Sequence, residues 1–217
     1  MSITTMFIDL DGTLYPNDNG MWDAIASRME LFMRDFLNLP NEKIPSLREE
    51  YYRTYGTTLR GLIENYSFDK YEYLKFVHDI PLEKYLKPDI QLRTVLNTIP
   101  IKKWIFTNSD RAHSERVLGI LGIQDLFEEI IDVTAMSFRN KPDPLVYQTA
   151  INLAGDPMPY ECIFIEDSAK NLIPARDIGM RTVLIGKNSN GDVAEKTIPD
   201  IYSIKKLLKH ANGSVNL

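Results

Sequence analysis

Four short runs, TTMFI (residues 4–8), KWIFT (103–107), CIFI (162–165) and TVLI (182–185), are apolar or β-branched at nearly every position, and each stops at a polar residue or a glycine. A strand with one wet face alternates apolar and polar residues. A run without that alternation is buried on both faces, as in a parallel sheet sandwiched between helices. Between the runs the apolar period lengthens to that of a helix. After IFTN, Ser109 or Asp110 can cap a helix that ends at Gly122, with Val117, Leu118 and Leu121 on its inner face. After NKPDP, Leu145, Val146, Ala150, Leu153 and Ala154 recur at helical spacing up to Gly155; after FIED, Leu172, Ile173 and Ala175 do so up to Gly179. The alternation predicts an α/β fold built on a doubly wound, mostly parallel sheet.

One interval breaks the rhythm. Roughly 95 residues separate the first run from the second, where a whole strand–helix–strand unit takes about 30. The excess reads as helices. Ile25, Met29, Phe32, Met33 and Phe36 follow a 3.6-residue period, and IPSLREEYYRTY, TTLRGLIENY and DKYEYLKFVHD follow them. The expected division is an α/β core of residues 1–14 and 88–210, an inserted helical cap of 15–87, and a frayed tail of 211–217. Tyr51, Tyr52, Tyr55, Tyr66, Tyr71 and Tyr73 are expected mainly to pack the insert, with one or two free to stack on a nucleobase.

Charge and cysteine content narrow the function classes. A formal net charge of −5 argues against a chain whose main task is to grip a nucleic-acid backbone, whereas a small anion needs only a local positive site. The single cysteine, Cys162, rules out an intramolecular disulfide and a cysteine-based zinc site. It sits in an apolar run and is expected to be buried. The N-terminus has no basic segment leading into an apolar one, and no apolar run approaches the roughly 18 residues of a membrane span. The expected setting is cytoplasmic, away from membranes.

In an open α/β sheet, ligands bind beyond the carboxyl ends of the strands. There the sequence places Asp9 and Asp11 after the first run, Thr107, Asn108 and Ser109 after the second, Lys141 and Pro142 in a loop, and Glu166 and Asp167 after the third. In extended chain Asp9 and Asp11 point the same way. Two bare carboxylates in a partly dry pocket repel each other, which calls for a divalent cation. Mg²⁺ takes hard oxygen ligands, and Asp9 with Asp167 supplies them. Thr107 and Asn108, beside the free N–H groups of a helix start, form an anion cradle, and Lys141 adds a positive charge suited to a phosphoryl group. A carboxylate nucleophile, a proton-shuttling carboxylate, a metal and an oxyanion clamp together describe phosphoryl transfer through an aspartyl phosphate.

These residues resemble the haloacid dehalogenase-like (HAD) superfamily. DLDGT (9–13) is similar to its first motif, TNS (107–109) to its second, Lys141 to its third and EDSAKN (166–171) to its fourth; the helical insert resembles the family's type-one cap. The resemblance implies that Asp9 is nucleophile and Mg²⁺ ligand. It implies that Asp11 is general acid/base with its backbone carbonyl on the metal, and that Thr107 and Asn108 bind phosphate. By the same likeness Lys141 neutralises the nucleophile and intermediate, and Asp167 binds Mg²⁺, with Glu166 in contact directly or through water. Dehalogenases of this fold lack an acid at the position of Asp11, so Asp11 favours phosphate esters, whose leaving alkoxide needs a proton.

Within the family, YGTTLRGL (55–62), IPLEKYLKPD (80–89) and HSERVLGILGIQDLFEEI (113–130) look like the pyrimidine 5′-nucleotidase group. The chain departs from that group at Gly12, where asparagine is frequent, and in EDS where DDS is common. The resemblance implies a Mg²⁺-dependent phosphatase of small phosphomonoesters, with a nucleoside monophosphate as substrate. A phosphatase or phosphoglucomutase-like phosphotransferase acting on sugar phosphates is the alternative, and a non-catalytic phosphate-binding scaffold a more distant one. Thr57, Thr58 and Arg60 either line the cap mouth or simply start a helix after Gly56. His113 is expected to face solvent or a helix neighbour, and His78 and His210 have no supporting constellation.

Overall fold

A strand apolar on both faces needs cover on both, and the computed structural model shows how the chain supplies it. It describes residues 2–186, 193–211 and 214–216. In chain order the elements are β1 (Thr5–Ile8), α1 (Met21–Asp35), α2 (Ile44–Tyr55), α3 (Thr58–Asn65), α4 (Lys70–Val77), α5 (Ile90–Asn97) and β2 (Lys102–Phe106). There follow α6 (Arg111–Leu121), β3 (Glu129–Ile131), α7 (Pro144–Leu153), β4 (Cys162–Glu166), α8 (Ala169–Asp177), β5 (Arg181–Ile185), β6 (Lys196–Ile198), α9 (Ile204–Leu207), β7 (Lys209–Ala211) and β8 (Ser214–Asn216). The chain divides into two compact units, Met1–Pro16 with Lys87–Leu217, and Asn17–Leu86. The insert thus runs 17–86 where the sequence reading drew 15–87.

The first unit holds a six-stranded sheet of order β3-β2-β1-β4-β5-β6, parallel throughout. The four apolar runs are β1, β2, β4 and β5. Two further strands, β3 and β6, are only three residues long and lie at the sheet edges. Along β1 successive side chains alternate faces, yet Met6, Phe7 and Ile8 are all fully buried. Phe7 joins Phe106, Tyr147, Phe164, Leu172 and Leu184 in one apolar cluster that includes α7 and α8 residues. Phe106 meets Tyr147 edge-on at 5.4 Å and lies tilted against Phe164 at 5.3 Å. By area, burying each of these phenylalanines contributes about 1.5–3 kcal/mol.

Register brings the strand ends together. Ile8 is level with Ile105 of β2 and with Ile165 of β4. The next residue outward, Asp9, donates its backbone N–H to Ile165 O at 2.9 Å, and Thr107 donates to Ile131 O at 3.0 Å. The carboxyl ends of β1, β2 and β4 therefore finish at one level.

Helix faces differ from the sequence reading in places. Along α7 the buried residues are Val146, Tyr147, Ala150 and Ile151, while Leu145 and Leu153 are exposed; the true apolar stripe is offset by one residue from the expected one. Ile173 of α8 is likewise exposed. Of the expected tail, the described residues 211 and 214–216 take part in an antiparallel two-stranded sheet of β7 and β8, with Lys209 opposite Asn216. Asn212 and Gly213 lie between the two strands in sequence. They, like Leu217, lie outside the described residues.

The second unit contains α1 to α4. Phe32 centres its core, stacked on Phe36 at 4.6 Å and edge-on to Tyr73 at 5.0 Å and Phe76 at 5.7 Å. Tyr51 and Tyr73 are buried in this unit, whereas Tyr52 and Tyr71 are exposed. Thr57 caps α3, its hydroxyl accepting from Arg60 N at 3.1 Å, and Asp69 caps α4. At Gly61, an added Cβ would sit 2.2 Å from Cγ of Tyr51, so only glycine lets α3 approach α2 this closely.

Candidate active site

Lys141 is the hub of the strand-end cluster. Its side chain is 1% exposed, and its Nζ donates to Asp9 Oδ1 at 2.7 Å, Glu166 Oε2 at 2.8 Å and the Phe106 carbonyl at 2.7 Å. Nζ also lies 5.1 Å from the ring centroids of Phe106 and Phe164. Burial alone would push the ammonium down, but Asp9 and Glu166 outweigh it and raise its pKa. The Lys141 backbone is fixed from the end of β2: its N–H donates to Asn108 Oδ1 at 2.8 Å, and its carbonyl accepts from Asn108 Nδ2 at 3.1 Å. The Asn108 side chain is thus engaged with Lys141, and Thr107 Oγ1 accepts from Ser109 N at 3.0 Å.

Asp9, Glu166 and Asp167 each turn one carboxylate oxygen to a common point, all within 4.8 Å of one another. Asp9 also accepts from Thr13 Oγ1 at 3.2 Å, and Glu166 from the backbone N–H of Ser168 at 3.1 Å. Burial and then the charge of Glu166 push the Asp9 carboxyl up to about 7, even with Lys141 in contact. Burial, with Asp167 beside it, pushes Glu166 up to about 7 against the pull of Lys141. Asp167 is also raised, by burial and then by Asp9. Fully ionised, these three carboxylates would exceed the one ammonium by two negative charges, which a divalent cation would offset. Hard oxygen donors in this number suit Mg²⁺, so the residues present fit the metal that the sequence implies.

Asp11 stands apart from that cluster. Its Oδ1 accepts from the Tyr15 hydroxyl and lies 3.2 Å from His113 Nε2, while Oδ2 accepts from Ser109 Oγ at 2.5 Å. Burial alone would raise the Asp11 pKa. His113, Ser109 and Tyr15 together outweigh burial and hold the carboxyl well below its ordinary range. Asp9 and Asp11, two residues apart, are therefore driven in opposite directions.

His113 corrects the sequence reading. It is 1% exposed and meets Asp11, rather than facing solvent or a helix neighbour alone. The signal was present: His113 lies four residues before Val117 and eight before Leu121, on the apolar stripe of α6. Asp110, not Ser109, caps that helix, accepting from His113 N at 2.9 Å. Asp9, Asp11, Thr107, Asn108, Lys141, Glu166 and Asp167 all belong to the first unit. Thr57, Thr58 and Arg60 belong to the second. There Thr57 is a helix cap, Thr58 is buried, and Arg60 pairs with Glu64 in a half-exposed ion pair.

Residues 3–179 match the family model for haloacid dehalogenase-like hydrolases, and the chain belongs to that family. A relative, Phosphate metabolism protein 8 of Saccharomyces cerevisiae, is 34% identical over 192 residues; the match covers 82% of this chain but only 60% of the yeast protein. Among solved structures, a HAD phosphatase from Thermococcus onnurineus superposes with a TM-score of 0.66 at 18% identity, covering 94% of this chain and 97% of that one. The L-2-haloacid dehalogenase of Xanthobacter autotrophicus, with chloropropionic acid covalently bound, gives 0.59 at 15%, covering 94% and 98%. These likenesses show the fold. Phosphatase and dehalogenase share it, so the choice between their chemistries falls to individual side chains. Among the described residues no helix is long and apolar enough to cross a membrane.

Proposed function

We propose that this hydrolase is a Mg²⁺-dependent phosphatase of small phosphomonoesters that works through an aspartyl phosphate on Asp9. The observation that carries the reading is the contrast between the two carboxylates. Asp9 sits in a cluster that needs a divalent cation, and Asp11 sits outside it, held by its own donors and available to move protons. A carbon–halogen bond breaks without protonation of the halide, so an acid at Asp11 serves ester cleavage and not dehalogenation.

In the first half-reaction an Asp9 oxygen attacks phosphorus, the bond to the ester oxygen breaks, and Asp11 gives that oxygen a proton, releasing the alcohol. In the second, water attacks the same phosphorus, its proton passes to Asp11, and the bond to Asp9 breaks to release phosphate. Lys141 offsets the charge of Asp9 and, after transfer, of the phosphoryl oxygens. Thr107 and the backbone at Asn108 bind the phosphoryl group, with the Asn108 side chain holding Lys141 in place. Asp9 and Asp167 would ligate the cation, as would the Asp11 backbone carbonyl. Glu166, already bonded to Lys141 and Ser168, supports the cluster directly or through water. Bound there, Mg²⁺ supplies charge neutralisation at the phosphoryl oxygens.

For substrate we infer a nucleoside monophosphate, pyrimidine in preference, on the resemblance of residues 55–62, 80–89 and 113–130. The buried lone thiol of Cys162 and the acidic composition accord with a cytoplasmic enzyme of small metabolites. Initial rates of phosphate release on UMP, CMP, purine monophosphates and sugar phosphates, with and without Mg²⁺, test both levels. Turnover of Asp9→Asn at a rate near wild type would defeat the phosphatase mechanism. A preference for sugar phosphates would defeat only the nucleotidase refinement, and free phosphate equal to dephosphorylated product excludes transfer to a second sugar.

A further inference from the structure

The surroundings of Asp11 assign work to residues that the proposed chemistry has not used. A carboxylate offers about four acceptor positions. Three of Asp11's are filled: Tyr15 and His113 at Oδ1, Ser109 at Oδ2. Each donor is itself held. Ser109 is anchored by its N–H on Thr107 Oγ1, and His113 by its N–H on the Asp110 cap and a fully buried ring. Tyr15 is bridged along the backbone to Asp11 itself. The Tyr15, His113 and Ser109 side chains all meet on this one carboxylate. A solvated aspartate would rotate between rotamers; one met by three fixed donors keeps a single rotamer, with its remaining acceptor position on Oδ2.

Resting on the phosphatase reading, we propose that His113, with Ser109 and Tyr15, is a positioning residue for Asp11, fixing the carboxylate so that Oδ2 exchanges the proton with the leaving oxygen and then with water. His113 acts through its Nε2–H on Oδ1 and does not touch the substrate. The consequence is specific to proton transfer. An alkyl phosphate leaves as a strongly basic alkoxide and depends on the acid, whereas p-nitrophenyl phosphate leaves as a stabilised phenolate and scarcely does.

The test is single-turnover release of alcohol or phenol from an alkyl phosphomonoester and from p-nitrophenyl phosphate, for the wild type, His113→Leu, His113→Gln and Ser109→Ala. His113→Leu should slow alkyl release by about 10- to 100-fold, slow p-nitrophenol release by less than about threefold, and leave substrate affinity within about twofold. His113→Gln, which keeps an N–H donor, should recover most of the loss. Equal slowing on the two esters, a loss confined to affinity, or no loss would overturn the inference while leaving the phosphatase reading intact. If circular dichroism shows His113→Leu unfolded, His113→Gln and Ser109→Ala must show the same alkyl-over-aryl contrast, and its absence there overturns the inference. A wild-type chain that releases phosphate from neither ester overturns the phosphatase reading, and this inference with it.

Discussion

Replacing Lys141 by methionine isolates the charge at the centre of the strand-end cluster. The unbranched thioether occupies the stem's path between Phe106 and Phe164, so the packing loss is small and the missing ammonium dominates. What remains is Asp9 and Glu166, both buried, with the bonds of 2.7 and 2.8 Å to Nζ gone. Removing one partner of a buried ion pair costs about 3–5 kcal/mol, because the other charge is left uncompensated. The cost must depend on pH, and its sign follows from the directions already found. Both carboxyls have folded pKa values near 7 against ordinary values of 3.8 and 4.5, so their ionisation opposes folding. That penalty is absent below about pH 4, grows as pH rises through the interval, and is complete above about 7. Without Lys141 both carboxyls rise further. At pH 5 the variant then folds with them protonated, and the loss falls to that of the hydrogen bonds, about 1–2 kcal/mol. Urea unfolding in EDTA at pH 5 and pH 8 reads the difference. With a slope of about 2–3 kcal/mol per molar, the midpoint at pH 8 should fall by about 1.5 M, and by less than half of that at pH 5. Equal losses at the two pH values, or a loss below about 1 kcal/mol at pH 8, would refute the electrostatic account of the cluster.

Other consequences are open to direct measurement. Added Mg²⁺ should raise the wild-type unfolding midpoint at pH 8 and have little effect at pH 5, where the ligands are protonated; equal effects at both would place the ion elsewhere. Gly61→Ala should destabilise the helical unit by about 1–3 kcal/mol, read as a fall in its melting temperature, because the new methyl overlaps Tyr51. Cys162 is buried, and burial pushes its thiol up to about 12; iodoacetamide at pH 8 should label the native chain at least about 100-fold more slowly than the urea-unfolded one. Thr57→Ala should cost about 1 kcal/mol as a lost helix cap and leave KM within about twofold, and a larger rise in KM would return Thr57 to substrate binding.

Sequence periodicity reveals an element well when the element is long or buried on both faces. The runs that became β1, β2, β4 and β5 are apolar at almost every position, whereas β3 and β6 carry three residues each at sheet edges, too few to show a period. The α7 stripe was displaced because Leu145 and Leu153 are as apolar as the buried residues and lie one step off the face. Within the site, Asp9, Asp11, Lys141, Glu166 and Asp167 were legible because each follows a strand or a loop whose register can be inferred. The donors around Asp11 were not. Nothing in a linear reading says that Tyr15, four residues on, turns back to Asp11, or that the first turn of α6 passes beside it. His113 lies on the apolar stripe of α6, but residue type alone does not separate a buried histidine from a solvated one.

The opposed environments of Asp9 and Asp11 also bear on why the pair is adjacent in sequence. Where two carboxyls of one site are driven apart, their roles divide along the same line. Lys141 alone leaves Asp9 near 7, ionised only in part at neutral pH, because burial and Glu166 oppose it. On the proposed chemistry the nucleophile must be an anion, so the cation that completes the charge count also sets the nucleophile's ionisation, and catalysis and metal binding become one requirement at Asp9. Asp11 needs no such help: His113, Ser109 and Tyr15 stabilise its carboxylate without a metal. Its difficulty is the reverse. Donors that favour the anion make Asp11 a strong acid once protonated, but they keep that protonated form scarce and make the carboxylate a weak base towards water. The acid half of the cycle must therefore draw on the bound substrate, whose phosphoryl negative charge beside Asp11 favours its protonated form. Closeness in the segment just beyond β1 is what lets one short stretch hold an anion that needs a metal and a second that does not.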